Sequence, residues 1–274
     1  MSLKLNGTLV LLGCGKMGGA MLEGWLKGGA DPAHIVALDP RPAPEVVEWL
    51  AKQKVRLNPP IADIKDAQVL VIAVKPQMMS EALPPLAPLA KSKPLVLSVA
   101  AGKTIATFEA AFGADASVIR TIPNTPAAIG RGITAMVGNA HVSPAQMQLA
   151  EALLSSTGEV VKVDNEEAID FVTAVSGSGP AYVFLLAEVL ASAGEKLGLS
   201  KELSTQLARA TVSGAGELMR QSGTDAAVLR QNVTSPNGTT YAALQVLMAD
   251  DSGMKPLMEK AVAAAAARSK ELAK

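Results

Sequence analysis

Histidine is almost missing from this chain: His34 and His141 are the only two in 274 residues. His141 precedes Ser143-Pro144-Ala145-Gln146, a helix start of the capping-box type, and His34 sits just ahead of the strand-like Ile35–Leu38, so both read as structural. Histidine chemistry and histidine-rich metal sites therefore start poorly placed. No cysteine or carboxylate cluster has metal-ligand spacing either, and no metal is expected. The single cysteine, Cys14, excludes an internal disulfide. Together with an opening that runs from Met1 through a short polar lead into a strand-like apolar run, it points to a reducing, cytoplasmic setting. Net charge is also lacking, with 25 basic residues against 25 acidic ones, and with it the electrostatic footprint for nucleic acid or an anionic membrane. The longest apolar run, around Tyr182–Leu190, is interrupted by Glu188. It falls far short of the roughly twenty residues a membrane span needs and is read as a buried helix.

What is present is apolar substance, 49% of the chain, enough for one large or two medium domains. Up to about residue 163, short β-branched runs alternate with amphipathic stretches, the pattern of a parallel sheet covered by helices. Strands are expected at 8–12, 35–38, 69–74, 95–99, 118–122, 133–137 and 160–163. Crossover helices are expected at 17–27, 44–53, 78–90, 105–112 and 144–155. After Val163 the strand signals stop, and Ala, Leu, Met, Glu and Lys dominate. Asp164-Asn165-Glu166-Glu167 reads as a capped helix start, which puts the domain boundary between 163 and 164. Ser176-Gly177-Ser178-Gly179-Pro180 breaks the helix and restarts it with a first-turn proline, and further helices are expected at about 200–221, 238–249 and 254–273. Their faces are rich in alanine and bury little area each, so the helical half is expected to pack against a copy of itself.

Thr8–Leu12 runs into Gly13-Cys14-Gly15-Lys16-Met17-Gly18, the glycine fingerprint of a dinucleotide fold. Gly13 permits the tight turn, Gly15 leaves room for a pyrophosphate, and Gly18 lets the helix pack on the strand. Asp39 closes the second strand about twenty residues on, the position that accepts from ribose hydroxyls and favours NAD. Arg41, two residues later, is placed to pair with the extra phosphate of NADP. Both signals are present, and the cofactor is expected to be NADPH or NADH. Cys14 reads as a small filler whose backbone faces phosphate.

Val74-Lys75-Pro76 and Ala100 lie at carboxyl ends of strands, the edge where ligands sit in open parallel sheets. Lys75 reads equally well as a charge-steadying group or as a solvated loop lysine. Thr121-Ile122-Pro123-Asn124-Thr125-Pro126 is a proline-stiffened loop in which Asn124 is placed to hold the amide of a nicotinamide or a substrate. Residues 232–241, Asn-Val-Thr-Ser-Pro-Asn-Gly-Thr-Thr-Tyr, open a helix with hydroxyls and backbone donors but no charge. Helix-start N–H groups lack internal partners and carry roughly half a positive charge, so such a terminus takes a small carboxylate without an arginine. Ser235 is expected to cap, with Pro236 at the first helical position and Gly238 allowing close approach to the backbone. A reduced dinucleotide brought to a small carboxylic acid is the chemistry these features suggest.

The phrases Gly13–Gly18, Ala73–Gln77, Arg120–Pro126, Val175–Ala181 and Val233–Thr240, in that order, resemble those of the pyrroline-5-carboxylate reductase family over almost the whole chain. The resemblance implies an α/β protein: an N-terminal Rossmann-type doubly wound sheet, residues 1–163, followed by an all-α C-terminal dimerisation and substrate-binding domain, residues 164–274. It implies NAD(P)H-dependent reduction of 1-pyrroline-5-carboxylate to L-proline, in a homodimer or a larger homo-oligomer built on dimers, with no nucleic-acid or membrane partner. Carried over by position, Ser235, Asn237, Gly238 and Thr239 would receive the carboxylate of the cyclic imino acid, and Thr240 would set its hydroxyl near the ring nitrogen. Two departures stand out. Asn237 replaces a glycine usual in the family's turn, and Pro59-Pro60, beside Asn58, occupies a region where some members carry an asparagine near the adenosine end.

A β-hydroxyacid dehydrogenase is the nearest rival, but such enzymes use a lysine within a turn or two of the glycine-rich break. Here the first lysine after Gly177 is Lys196. A noncatalytic NAD(P) sensor would explain the fingerprint and the apolar helices but not the hydroxyl-rich turn.

Overall fold

The computed structural model describes residues 3–272. An eight-stranded sheet dominates the first part: β1 (Thr8–Leu12), β2 (Ile35–Leu38), β3 (Arg56–Leu57), β4 (Ala67–Ile72), β5 (Leu95–Ser98), β6 (Val118–Ile122), β7 (Gly132–Gly138) and β8 (Gly158–Lys162). Their spatial order is β3-β2-β1-β4-β5-β6-β7-β8. The first six run parallel, the chain winding outward from β1 in both directions, which is the doubly wound arrangement expected. Around the sheet lie α1 (Lys16–Lys27), α2 (Pro44–Lys52), α3 (Met79–Ala82), α4 (Ile105–Phe112), α5 (Pro144–Leu154) and α6 (Glu167–Val172).

Both faces of the parallel strands are buried, so each strand is apolar throughout. Val10, Leu12, Val36, Leu70 and Ile72 point into one core with Leu86, Phe108 and Ile169. Their neighbours Leu9, Leu11, Ile35, Val69 and Val71 point into the other with Met21, Trp25, Leu50 and Leu153.

Two expectations about this region change. β7 runs antiparallel to β6, with Arg120 opposite Val137 and Ile122 opposite Ala135. A parallel return needs a crossover of a dozen or more residues, and the link holds only one short 3-10 turn, Thr125–Ile129. Helix α5 then supplies a crossover, and β8 pairs parallel with β7. The helix expected over 78–90 is also broken up. Only α3 is α-helical there, and Pro84–Ser92 winds as a 3-10 helix because Pro84, Pro85 and Pro88 lack the donors an α-helix requires.

The chain clusters into two compact units, one of residues 1–177 with 266–274 and one of residues 178–265. α6, the first helix after the expected boundary at 163/164, packs against β6 and β7 in the sheet unit. The second unit is helical: α7 (Gly179–Lys196), α8 (Lys201–Ser222), α9 (Ala226–Asn232), α10 (Thr239–Leu247) and most of α11 (Met254–Leu272). α9 was not expected. Its start carries an Asp225 cap that accepts from Ala227 N at 2.8 Å, but a seven-residue helix offers little periodicity to read. α7 and α8 pack together across a turn in which Gly198 is left-handed and Ser200 caps α8. Gly194 lets α8 approach closely, since a Cβ there would lie 3.0 Å from Ser204 Oγ.

The run at Tyr182–Leu190 is helical but is not buried within the chain. Val183, Phe184, Leu185, Val189 and Leu190 are all exposed, Phe184 by 66%. The side chains are apolar enough for a core, yet the unit has too few layers to cover them.

Trp25 joins α1 to α5. It is fully buried, and its Nε1 donates to the Leu153 carbonyl at 2.8 Å. Trp25→Ala is expected to destabilise the sheet unit by roughly 3–5 kcal/mol, and Trp25→Phe by less. Urea unfolding followed by circular dichroism measures both; equal stability of Trp25→Ala and wild type would refute the account.

Candidate active site

The carboxyl ends of β1, β2, β4, β5 and β6 share one edge of the sheet, and the order reverses between β1 and β4. Ligands of open α/β sheets bind in the crevice at such a reversal. Gly13 follows β1 with φ +98°, a conformation that excludes ordinary side chains, and a Cβ on it would meet the Ala73 backbone at 2.9 Å. At Gly18 a Cβ would lie 2.0 Å from the Gly13 carbonyl oxygen. Gly15 is different. It is exposed, and nothing stands within 4 Å of its Cβ position. Two glycines are thus required by packing, while the third leaves open space at the mouth of α1.

α1 begins with Gly15 at its cap, no side-chain cap and no acidic residue in its first turn. Its first intrahelical bond runs from Gly19 N to Gly15 O at 2.7 Å, so the N–H groups of Lys16, Met17 and Gly18 lead into the turn ahead of it. The arrangement suits an anion, and a dinucleotide pyrophosphate fits the space that Gly15 leaves.

Asp39 reaches back to brace this turn. Its Oδ2 accepts from Cys14 N at 2.8 Å and its Oδ1 from Arg41 N at 2.9 Å. Asn58, left-handed at φ +50°, exchanges two 2.8 Å bonds with the Asp39 main chain. Beside them opens a cavity of about 350 Å³ lined by Asp39, Arg41, Asn58, Ile61, Met78 and Glu81. Both Asp39 oxygens are thus engaged by backbone N–H groups, and Arg41 is among the residues that line the cavity. Ile61, Met78 and Glu81 carry no motif, and only their position across the sheet edge reveals them.

Val74 and Ala100 are buried and can meet a ligand through little more than their main chains, whereas Lys75 is exposed. Cys14 is buried, and desolvation together with the nearby Asp39 charge pushes its thiol up to about 12. The thiol is thus an inert filler. Both histidines stand apart from the edge, His34 Nδ1 lying 3.3 Å from the Gly7 carbonyl and the His141 carbonyl accepting from Ser117.

Asn124, expected to hold an amide or a substrate, has both ends of its amide engaged inside the sheet unit. Nδ2 donates to Ser176 Oγ at 3.2 Å and to the Ser176 carbonyl at 3.3 Å, and Oδ1 accepts from Ile133 N at 3.0 Å.

In the helical unit the 232–241 segment differs from expectation in detail. α10 starts at Thr239 with Gly238 at its cap, and Ser235 makes no side-chain cap. Instead the Ser235 carbonyl accepts from Gly238 N at 3.1 Å, closing a tight turn before the helix. Asn237 takes φ +58° in that turn, which an asparagine tolerates where a glycine is usual, and this left-handed residue prevents the helix from starting at Pro236. The first intrahelical bond of α10 is Ala242 N to Gly238 O, so the N–H groups of Thr239, Thr240 and Tyr241 open onto the turn. Ser235, Asn237, Gly238, Thr239 and Thr240 thus surround one uncharged helix start.

Residues 166–272 match the family model described as pyrroline-5-carboxylate reductase dimerisation, and residues 8–102 match one described as NADP oxidoreductase, coenzyme F420-dependent. The chain is 42% identical to a pyrroline-5-carboxylate reductase of Pseudomonas aeruginosa, over 97% of this chain and 96% of that protein. It is 40% identical to one of Synechocystis, over 89% of each. Among solved structures, a pyrroline-5-carboxylate reductase of Coxiella burnetii superposes with a TM-score of 0.89 at 34% identity, covering 98% of this chain and 100% of the other. The Plasmodium falciparum pyrroline carboxylate reductase with NADP bound gives 0.80 at 28% identity, over 98% and 99%.

Two outcomes follow from the turn. Gly18→Ala is expected to lower the melting temperature sharply or to prevent folding, while Gly15→Ala melts like wild type; equal melting of the two would contradict the contact geometry. Cys14 in the folded chain is expected to resist iodoacetamide at pH 8, well below its raised pKa, and to react once urea unfolds the protein. Rapid labelling of the native protein would overturn that.

Proposed function

The chain belongs to the pyrroline-5-carboxylate reductase family, and from that membership we infer that it reduces 1-pyrroline-5-carboxylate to L-proline with NADPH or NADH as reductant, the last step of proline biosynthesis. The observation that carries the reading at residue level is the presence of two open helix starts in one chain. α1 is entered through glycines and suits a pyrophosphate, and α10 is entered through hydroxyls and suits a carboxylate.

In this reading Gly13, Cys14, Gly15, Lys16, Met17 and Gly18 hold the pyrophosphate through their main chain. Asp39 and Arg41 meet the adenosine ribose, and Val74, Lys75, Pro76 and Ala100 line the path toward the nicotinamide. When bound, the cofactor supplies the hydride that adds to the imine carbon. Ser235, Asn237, Gly238 and Thr239 receive the substrate carboxylate at the start of α10. The Thr240 hydroxyl bonds the ring nitrogen, orienting the imine and assisting its polarisation, and the product amine takes its proton from solvent. Addition to a polarised C=N bond depends on orientation more than on a strong base, which accords with a chain holding two histidines, both away from the sheet edge.

Asp39 and Arg41 act together on the choice between the cofactors, Asp39 favouring NADH and Arg41 favouring NADPH. Arg41 contributes a positive charge to the ribose cavity, while Asp39 already accepts two backbone N–H groups. For function the chain divides at 163/164, close to where the dimerisation model begins at residue 166. The apolar face of α7 is then covered by a second copy of the chain, in a homodimer or a homo-oligomer built on dimers, and the enzyme works in the cytoplasm.

The test is the loss of NAD(P)H absorbance with purified protein and 1-pyrroline-5-carboxylate, with 3-hydroxy acids and oxidised cofactor as the control. Turnover of the hydroxy acids but not of the imine would replace this reading with the dehydrogenase one, and binding without any turnover would favour a sensor. Thr240→Ala is expected to lower kcat by roughly a hundredfold while the cofactor KM stays within about twofold of wild type. Full retained activity would remove Thr240 from the mechanism.

A further inference from the structure

Three side chains at alternate positions along and just beyond β6 share one face of the strand, and all three grip the segment that follows β8. Arg120 is 2% exposed, and its guanidinium bonds Glu166 Oε1 at 3.0 Å and Asp170 Oδ1 at 3.4 Å. Ile122 Cγ1 lies 3.6 Å from the position a Cβ would take on Gly177. Asn124 ties down Ser176 through both its carbonyl and its hydroxyl, and ties the β6–β7 loop to Ile133. Residues i, i+2 and i+4 of an extended chain point the same way, so this spacing makes one continuous dock.

The docked segment is unusual. Thr173–Gly177 is a π-helical turn continuing α6, and Thr173 Oγ1 donates back to the Ile169 carbonyl at 2.7 Å as the helix widens. A π turn is less stable than the α-helix it interrupts and is maintained by outside contacts; such turns occur often at functional sites. Here the outside contacts come from β6, and they hold Ser176 and Gly177 beside the end of the strand at the ligand edge of the sheet. Ser176 Oγ accepts from Asn124, so its own hydrogen remains available to donate elsewhere. Glu166 carries the same dock to α4, where its Oε1 also accepts from Ile105 N at 2.8 Å. From the far end of α11, Ser269 Oγ donates to Asp170 Oδ1 at 2.7 Å.

We propose that Asn124 is a positioning residue rather than a ligand contact: it acts through Ser176, holding the 173–177 turn in the π form that the hydride-transfer site requires. This rests on the reductase reading above. The Asn124 Nδ2 is shared between the carbonyl and the hydroxyl of Ser176 and its oxygen accepts from Ile133 N, so both ends of the amide are already engaged by the protein. Arg120, on the same face, anchors the base of the docked segment, and Asn124 sets its tip.

The experiment is a double-mutant cycle on the full chain with Asn124→Asp, Ser176→Ala and the pair. Asp is isosteric with Asn and keeps the bond from Ile133 N, but it turns lone pairs toward Ser176 where donors stood. Asn124→Ala, made alongside it, removes the bonds to Ser176 without placing a charge in the dock. Each single variant is expected to lower kcat with 1-pyrroline-5-carboxylate by roughly ten- to a hundredfold, and the double variant to lose no more than the worse single one. NADPH affinity, measured by equilibrium fluorescence titration, stays within about twofold of wild type, and hydrogen exchange quickens at amides 173–177. Losses that multiply in the double variant, or an NADPH affinity weakened about tenfold with unchanged exchange at 173–177, would make Asn124 a direct contact and overturn the proposal. Wild-type protein inactive on the imine would defeat the reductase reading instead, so the two failures are told apart.

Discussion

The first turn of an α-helix leaves N–H groups that no residue of the helix can satisfy, and this chain leaves two such turns open. Four other starts are closed: Ser143 and Gln146 cap α5 reciprocally, Ser200 caps α8, Asp225 caps α9, and Glu166 reaches across to the start of α4. α1 and α10 begin instead at Gly15 and Gly238, with no side-chain cap. A glycine in place of a capping side chain costs only a few tenths of a kcal/mol of helix stability, a small cost borne where an incoming anion can replace the cap. The glycine packing, the Asp39 brace and the Asn237 turn all serve to keep those two entrances clear.

The sheet contributes direction. Six parallel strands bring the loops after β1, β2, β4, β5 and β6 to one edge, so residues far apart in sequence meet without specific attraction between them. β6 differs from its neighbours in carrying Arg120, a fully desolvated cation in an otherwise apolar layer. A buried guanidinium is tolerable only with carboxylates at hand, and Glu166 and Asp170 meet that demand from α6. Removing one partner would strand the others, so the ion cluster commits the chain after β8 to one position on the sheet. The helical unit makes the opposite choice: its largest apolar side chains, Phe184 and Leu185 among them, are left outside, and such a surface persists in water only when something covers it.

Much of this was legible beforehand. The glycine fingerprint, the end of β2 at Asp39, the helix starts at Ser143 and Pro180, and the hydroxyl-rich segment before α10 are local patterns, and local physics dictates them. The misreadings came where a longer-range condition outweighed the pattern. Prolines at 84, 85 and 88 sat inside a helical apolar period and turned it into 3-10 winding. The direction of β7 depended on the length of its link to β6 rather than on its own residues. Tyr182–Leu190 has the composition of a core helix, and composition cannot say whether the core belongs to one chain or two. Arg120 and Ser176 were read only as members of longer motifs, because nothing about an arginine in a strand or a serine among glycines reveals its partners.

Sequence alone determined where the parallel strands run, where α5 is capped and which glycines of the first turn had to be glycine, because those properties reside in a few consecutive residues. Only the tertiary structure decided that Asp39 braces the glycine turn, that Asn124 spends its amide on Ser176, and that Asn237 turns left-handed to delay the start of α10. Each of those outcomes depends on which atom stands about 3 Å away, and a chain acquires such neighbours only when it folds.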